Sequence, residues 1–496
     1  KKRRNEKPIL RSDKLAQQNT EEVVLVPMER LREMINISFL QLEQILFQEL
    51  RKEFCEAFSA LLERLDDQIH AACDKNRYEV LEKVSRGVET LVGTVRFRRR
   101  CYLDRQMKKR VYLLDELCGL PQRSRIAPGL ASLAAVFGAT CSYREAEKAF
   151  KNLFGERVIS HESIRQVVQA AGEELRQEEA KQREFPAGER KLPVLFLEVD
   201  GLWASLQREK KPSIEARILV SHEGWEARHP SSEEYKLINK QHFTWEGEAK
   251  YFWEEASRYL AAHYDLENTI VVINGDRAPW IRKGIDWFPH AIYQVDQFHL
   301  KRELKSLLKG QPEKLKSAME ALEASDVVLF FTTLAEAVSA EADAKQRKRL
   351  QAFINDLLEV TESLRDYRVR LQEEYNIDTS GYRGLGAAES QMDLYSNRLK
   401  KHGQSWSLAG LRNMLAVLNA KFEGRLLEVT EKLGQSGKVV PLIRQKFGVG
   451  RVKEALKSAT YEPRSGSLPA KLRGLNASGG LARVMQQLSH PSFSTI

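Results

Sequence analysis

Residues 273–299 read INGDRAPWIRKGIDWFPHAIYQVDQFH, and two apolar, strand-like runs, IVVIN from Ile270 and AIYQV from Ala291, are each followed closely by an aspartate, Asp276 and Asp296. A carboxylate at the end of a buried strand is costly unless something pairs with it. Either a cation waits there or these are ordinary strand-terminating turns, and the surrounding chain decides between the two.

Upstream, residues 182–193 (QREFPAGERKLP) carry Pro186, Gly188 and Pro193 and mark a domain boundary. VLFLEVD then reads as a strand covered on both faces and ending at Asp200-Gly201. WASLQ and IEARILVSHEGW follow as antiparallel partners, then a helix around 247–263, then the runs ending at Asp276 and Asp296. Three strands, a helix and a strand–helix–strand unit are the order expected of a ribonuclease-H-like α/β sheet, whose active site lies at the carboxyl ends of strands. Asp200 and Asp276 would sit side by side, and carboxylates so close repel unless they share a proton or a divalent cation. Oxygen-only ligands favour Mg²⁺ or Mn²⁺, two ions in all, over zinc. Glu198 shares the strand face of Asp200 by alternation and stays outside the expected site. Paired with Asp200 it would instead serve a sugar-cleaving hydrolase, a reading that the basic C-terminal tail argues against.

A third carboxylate should come from a helix passing the same sheet edge. Residues 309–380 are helical in pattern throughout and read as an inserted helical domain between residues 190–308 and 381–425 of the catalytic core. The stretch GYRGLGAAESQMDLYSNRLKKHGQSWS then enters a helix containing Glu389, with Asn397, Arg398, Lys400 and Lys401 two to three turns on. A carboxylate near the helix start can join a metal site while the basic residues hold phosphates.

The N-terminal part, residues 1–92, reads as helical, with apolar residues at helical spacing from Met28 to Ile69 that either pack on a core or pair with a second copy. TVRFRRRCYLD and KRVYLLDEL resemble a β-hairpin carrying Arg96, Arg98, Arg99 and Arg100. Within residues 93–181, three helices follow, the last capped by Ser160. They suit a helix-turn-helix or an ordinary helical hairpin equally. Of the charged residues, 17 Lys+Arg against 6 Asp+Glu fall in residues 391–496, leaving 62 against 63 for residues 1–390, so the net charge of +10 belongs to the C-terminal part and its tail, 426–496. With the clusters at 1–14 and 96–110, this points to a polyanion such as nucleic acid. No apolar run approaches the roughly 18 residues that span a bilayer, and no phosphate-cradling glycine motif occurs. Five cysteines without metal spacing fit a reducing cytoplasm. Lys1 is not a methionine, so the natural start is expected upstream.

FLEVDG, INGDRAPWI, VDQFHLKR and GAAESQMDLYSNRLKKHGQSWS together resemble the motif blocks of bacterial insertion-sequence transposases of the ISLre-two family, which are similar to mutator-type DDE transposases. The resemblance implies that Asp200, Asp276 and Glu389 are the catalytic, metal-binding triad. It makes Asp296 and His299 an auxiliary Asp-x-x-His pair, with His299 orienting Asp296, touching phosphate, carrying a proton or making a structural hydrogen bond. It further implies binding of double-stranded DNA, element ends and target alike, by a homo-oligomer at the bacterial nucleoid, and no membrane. A non-catalytic DNA-binding regulator derived from such an enzyme is the alternative. If six of the tail's basic residues touch phosphates, log affinity should fall with log salt with a slope of about −5 from that region. A salt titration comparing the full chain with one truncated after Gly434 should show the shallower slope in the truncated protein; equal slopes would mean that the tail is a solvated face.

Overall fold

Ser38 and Gln41 form a capping box that starts helix α1 (Phe39–Ala72). The computed structural model describes residues 38–120, 124–184, 188–230, 232–401 and 403–435; residues 1–37 of the expected N-terminal helical region and 436–496 of the expected basic tail lie outside them. The C-terminal half of α1 buries Leu62 and Ile69 against an antiparallel sheet of β1 (Tyr78–Thr90), β2 (Gly93–Asp104) and β3 (Lys109–Val111), with helix α2 (Leu113–Leu117) closing this small core. The expected hairpin is present but short. The arginine strand pairs chiefly with the upstream segment 78–90, and KRV makes only a three-residue strand before LLDEL turns helical. Most of the first half of β1, from Glu79 to Lys83, is exposed, so its alternation is weak in the sequence. The open edge of β2 is covered by α1. Ser59 donates to the Arg96 carbonyl at 2.6 Å, and Glu63 and Asp66 accept the Arg98 and Arg100 amides at 2.8 and 3.0 Å. Spaced four and three residues apart, these side chains lie on one helix face and satisfy backbone groups that would otherwise invite another strand.

Helices α3 (Pro128–Thr140), α4 (Tyr143–Phe154) and α5 (His161–Glu184) follow, and Ser160 caps α5 as expected, its hydroxyl accepting the Ser163 amide at 3.0 Å. The chain then builds β4 (Val194–Ser205), β5 (Ser213–His222), the ribbon β6 (Trp225–Ala227) and β7 (Tyr235–Leu237), β8 (Gln241–Trp245), α6 (Phe252–Ala261), β9 (Ile270–Gly275), α7 (Pro279–Arg282) and β10 (Ala291–Val295). The helices α8 (Gln297–Leu307), α9 (Pro312–Glu323), α10 (Val327–Ala340), α11 (Ala344–Leu358), α12 (Tyr367–Tyr375), α13 (Ala387–Leu399), α14 (Leu408–Phe422) and α15 (Leu426–Gln435) complete a mixed α/β fold. Among the described residues no helix is long and apolar enough to cross a membrane.

The central sheet runs β10-β9-β4-β5-β8, with β4, β9 and β10 parallel and β5 antiparallel to both β4 and β8. Strand alternation divides its residues between two faces. Leu195, Leu197, Val199 and Ile273 pack against α6 and the helices α8 to α11. Phe196, Val272 and Ile292 meet Tyr367 and Leu371 of α12, while Leu202, Ala204 and Ile218 meet α3, α5, α13 and α14. The helices after β10 are thus continuous with the core of one face, and the linker at 182–193 joins parts that share the core of the other. Gln294 turns the chain from one face to the other, its side chain donating to the Ser363 carbonyl at 3.0 Å and accepting the Tyr367 amide at 2.7 Å. Between α5 and α14 the backbones approach so closely that a Cβ on Gly172 would lie 2.2 Å from the Asn413 carbonyl oxygen. Gly172→Ala should therefore destabilise the protein by about 1–3 kcal/mol through overpacking, read from denaturant melts; an unchanged midpoint would show that the two helices are not held at this distance.

Candidate active site

The β4–β9 pairing ends at Val199 with Gly275, and the β9–β10 pairing at Gly275 with Val295. The next residues on the three strands are Asp200, Asp276 and Asp296, all on the face that carries Glu198 and Asn274. Asp276 and Asp296 end their strands as expected. Asp200 does not: β4 continues to Ser205, paired with β5 alone, so Asp200 marks the point where its strand loses its parallel neighbour. The sheet splits there, and half-buried carboxylates gather in the opening.

Burial raises the pKa of Asp200 to about 6. The Gly201 amide, donating at 2.7 Å, and the charge of His299 pull it down, while Asp276 and Asp296 push it up. Asp296 is the N-cap of α8. One of its oxygens accepts the His299 amide at 3.0 Å and ring Nδ1 at 2.6 Å, and the other accepts the Asn274 amide group at 3.3 Å. Burial raises the pKa of Asp296, but these bonds outweigh it and hold the carboxylate below its ordinary value. The Asp296 partnership in turn raises that of His299 against the effect of burial. With Nδ1 bonded to the carboxylate, Nε2 is left as the free ring nitrogen. The ligand atoms of Asp200, His299 and Glu389 all lie within 4.8 Å of one another.

Two expectations change. The third member of this cluster is His299, promoted from an auxiliary role, and not Asp276, whose carboxylate accepts the Ala278 amide at 2.9 Å. The donor set therefore mixes nitrogen with oxygen, where oxygen alone was expected.

Glu389 reaches the sheet because of Glu198, which lies outside the expected site. Glu198 is fully buried, and one of its oxygens accepts the amides of Gly386 and Ala387, each at 3.1 Å. The other accepts Ala388 at 3.2 Å and the Asn274 side chain at 2.8 Å. Gly386, at φ +145°, has no side chain to cap α13, and the orphan amides of that helix start are satisfied from the strand instead. Glu389, the third residue of α13, is thereby set opposite Asp200. Enclosed and saturated with donors, Glu198 presents nothing to a sugar, so the paired-carboxylate hydrolase reading fails. The available signal was the alternation that puts Glu198 and Asn274 on the face of the aspartates, together with a glycine at the start of the helix.

The expected phosphate contacts divide. Arg96, Arg98 and Lys400 are exposed, as is Lys401, which also reaches Asp393 at 3.0 Å. Arg99 is buried against Asp115 at 2.8 Å, Arg100 is held by Asp66 and Asp67 at 2.6 and 2.7 Å, and Arg398 is buried and donates to the Gly138 carbonyl at 2.9 Å. These last three are structural cations: Arg99 shares the face of Val95 and Phe97 over the small core, Arg100 on the opposite face is held by α1, and Arg398 is buried in the helical core.

A family model described as an uncharacterised protein family, UPF0236, matches residues 31–435. A Streptococcus gallolyticus protein named "UPF0236 protein in vanSb 3'region" is 28% identical over 398 residues, spanning 78% of this chain and 84% of its own length. A UPF0236 protein of Caldanaerobacter subterraneus subsp. tengcongensis, named under eleven loci, is 24% identical over 380 residues, spanning 75% of this chain and 76% of its own length. The resemblance to the ISLre-two transposases is corrected accordingly: the family that matches is UPF0236. Short blocks with a carboxylate after an apolar strand reflect the chemistry of a sheet edge and do not by themselves identify a lineage.

Proposed function

Because the chain belongs to the UPF0236 family, whose description assigns no activity, we propose its function from the site: a metal-dependent polynucleotidyl transferase that cleaves DNA at the ends of a mobile element and joins them to target DNA. The observation that carries this reading is the convergence of Asp200, His299 and Glu389, from a strand and two helices, at the carboxyl edge of the sheet. The sheet order supports it. Numbered by appearance, the five strands lie 3-2-1-4-5 with the second antiparallel to both neighbours, as in ribonuclease-H-like domains. One relative's name gathers eleven loci of one strain, which fits a sequence that multiplies in its genome.

Two carboxylates and an imidazole with its Nδ1 already bonded fit a divalent cation; the carboxylates suit Mg²⁺ or Mn²⁺, and the nitrogen donor makes Mn²⁺ the better fit of the two. Asp200 and Asp276, neighbours across the parallel pairing, would hold a second ion; such crowding of like charge is what a cation relieves. When bound, the ions polarise a phosphodiester and activate a water or 3′-hydroxyl for in-line attack. The protein's own part is to fix its ligands: Asp296 holds the proton on His299 Nδ1, and Glu198 holds the helix of Glu389. The exposed Arg96, Arg98, Lys400 and Lys401 would meet phosphates, Lys401 by leaving Asp393, α3 to α5 would bind element ends as a helix-turn-helix, and joining two ends calls for more than one copy of the chain on DNA.

The test is a nicking and strand-transfer assay on DNA carrying the ends of the protein's own element. Mn²⁺ or Mg²⁺ should support cleavage, and Ca²⁺ should permit binding with little chemistry. Asp200→Ala, His299→Ala and Glu389→Ala should each cost more than the roughly 10–100-fold typical of residues behind the ligands, with DNA binding nearly unchanged. Nicking by a variant at the wild-type rate removes that residue from the site, and DNA binding without cleavage by the wild type in either metal favours the non-catalytic regulator.

A further inference from the structure

Glu198, Asn274 and Asp296 form a line of buried polar side chains across β4, β9 and β10, with exposures of 0%, 1% and 3%. The two hydrogens of the Asn274 amide suffice for the two carboxylates, which accept at 2.8 Å (Glu198) and 3.3 Å (Asp296). Beyond them, Asp296 holds the backbone and ring of His299, and Glu198 holds the first turn of α13. The basic group beside Glu198 is His222, 3.9 Å away, which burial keeps neutral with a pKa lowered to about 4. Burial raises the pKa of Glu198, and peptide and amide dipoles, which are directional, oppose that shift where no full counter-charge does.

We propose that Asn274 and Glu198 are positioning residues: with Asp296 they form a relay that fixes His299 and Glu389 in one frame with Asp200. This rests on the reading of that cluster as a metal centre. The planar amide of Asn274 donates in two fixed directions, so the placement of one carboxylate constrains that of the other, and through them the two outer ligands. Leucine at position 274 has nearly the same volume and no donor, and leaves two buried carboxylates short of a partner. Glutamine at position 198 turns an N–H₂ group toward amide donors.

The experiment is Mn²⁺ binding to the full-length protein without DNA, followed by electron paramagnetic resonance, with thermal melts on the same samples. Asn274→Leu and Glu198→Gln should weaken Mn²⁺ binding roughly 10–100-fold, and Asn274→Ser, which keeps one donor, should lose less. Asp200→Ala serves as the ligand control. Variants that melt lower but bind Mn²⁺ like the wild type would overturn the relay and leave these residues a purely structural role. If Asn274→Leu does not fold, the serine and glutamine variants carry the same comparison. A wild type that binds no Mn²⁺ at this cluster would overturn the metal-centre reading, and the relay with it, whereas binding lost in Asp200→Ala but kept in all three relay variants would overturn the relay alone.

Discussion

A carboxylate buried in the middle of a protein, without a cation to pair with, is among the more expensive things a fold can contain. Glu198 is such a group, and much of the site geometry follows from how it is satisfied. Three backbone amides at the start of α13 and one side-chain amide from β9 take up its lone pairs. The chain cannot reach this arrangement unless the helix after a long excursion returns end-on to the first strand of the sheet. That requirement brings Glu389 to Asp200 across nearly two hundred residues of sequence. It also explains why α13 begins on a glycine, which supplies an amide and a backbone turn at φ +145° but no competing cap.

The same edge shows how a sheet can assemble acidic ligands with few residues. Three parallel strands end their mutual pairing at one level, so the next residue on each, an aspartate in every case, meets its neighbours. One of the three, Asp296, is spent as a helix cap and as the partner of His299, which in the proposed metal centre exchanges a carboxylate ligand for an imidazole oriented by a carboxylate. The cost is first the burial of charge and second the repulsion among neighbouring carboxylates, both of which raise the pKa of Asp200.

Much of this was legible in the sequence. The apolar runs ending near Asp200, Asp276 and Asp296 mark three of the strands and set their aspartates side by side, and Ser160 is legible as a cap; WASLQ, expected as a separate partner strand, instead continues β4, and the further antiparallel strand is β8. The misreadings have physical causes. The first strand of the N-terminal sheet is exposed along most of its first half and shows little alternation, so the sequence reveals the arginine strand's short partner at 109–111 and hides its long one at 78–90. Arg99, Arg100 and Arg398 looked like surface charge because a sequence does not reveal that Asp115, Asp66 or a helix carbonyl waits inside. Glu198 stays outside the site read from the sequence because three of its four partners are backbone amides, which carry no signature in a sequence. The family resemblance failed for a related reason, since acidic blocks at a sheet edge recur wherever that chemistry is needed.

The central claim is that Asp200, His299 and Glu389 together hold a divalent cation. Crystals of the protein grown with Mn²⁺ and measured at a wavelength where manganese scatters anomalously test it most directly. The account predicts an anomalous peak bounded by carboxylate oxygens of Asp200 and Glu389 and by Nε2 of His299, with His299 Nδ1 still bonded to Asp296. A map with no peak there at saturating Mn²⁺, or with the ion held by other residues, would contradict it.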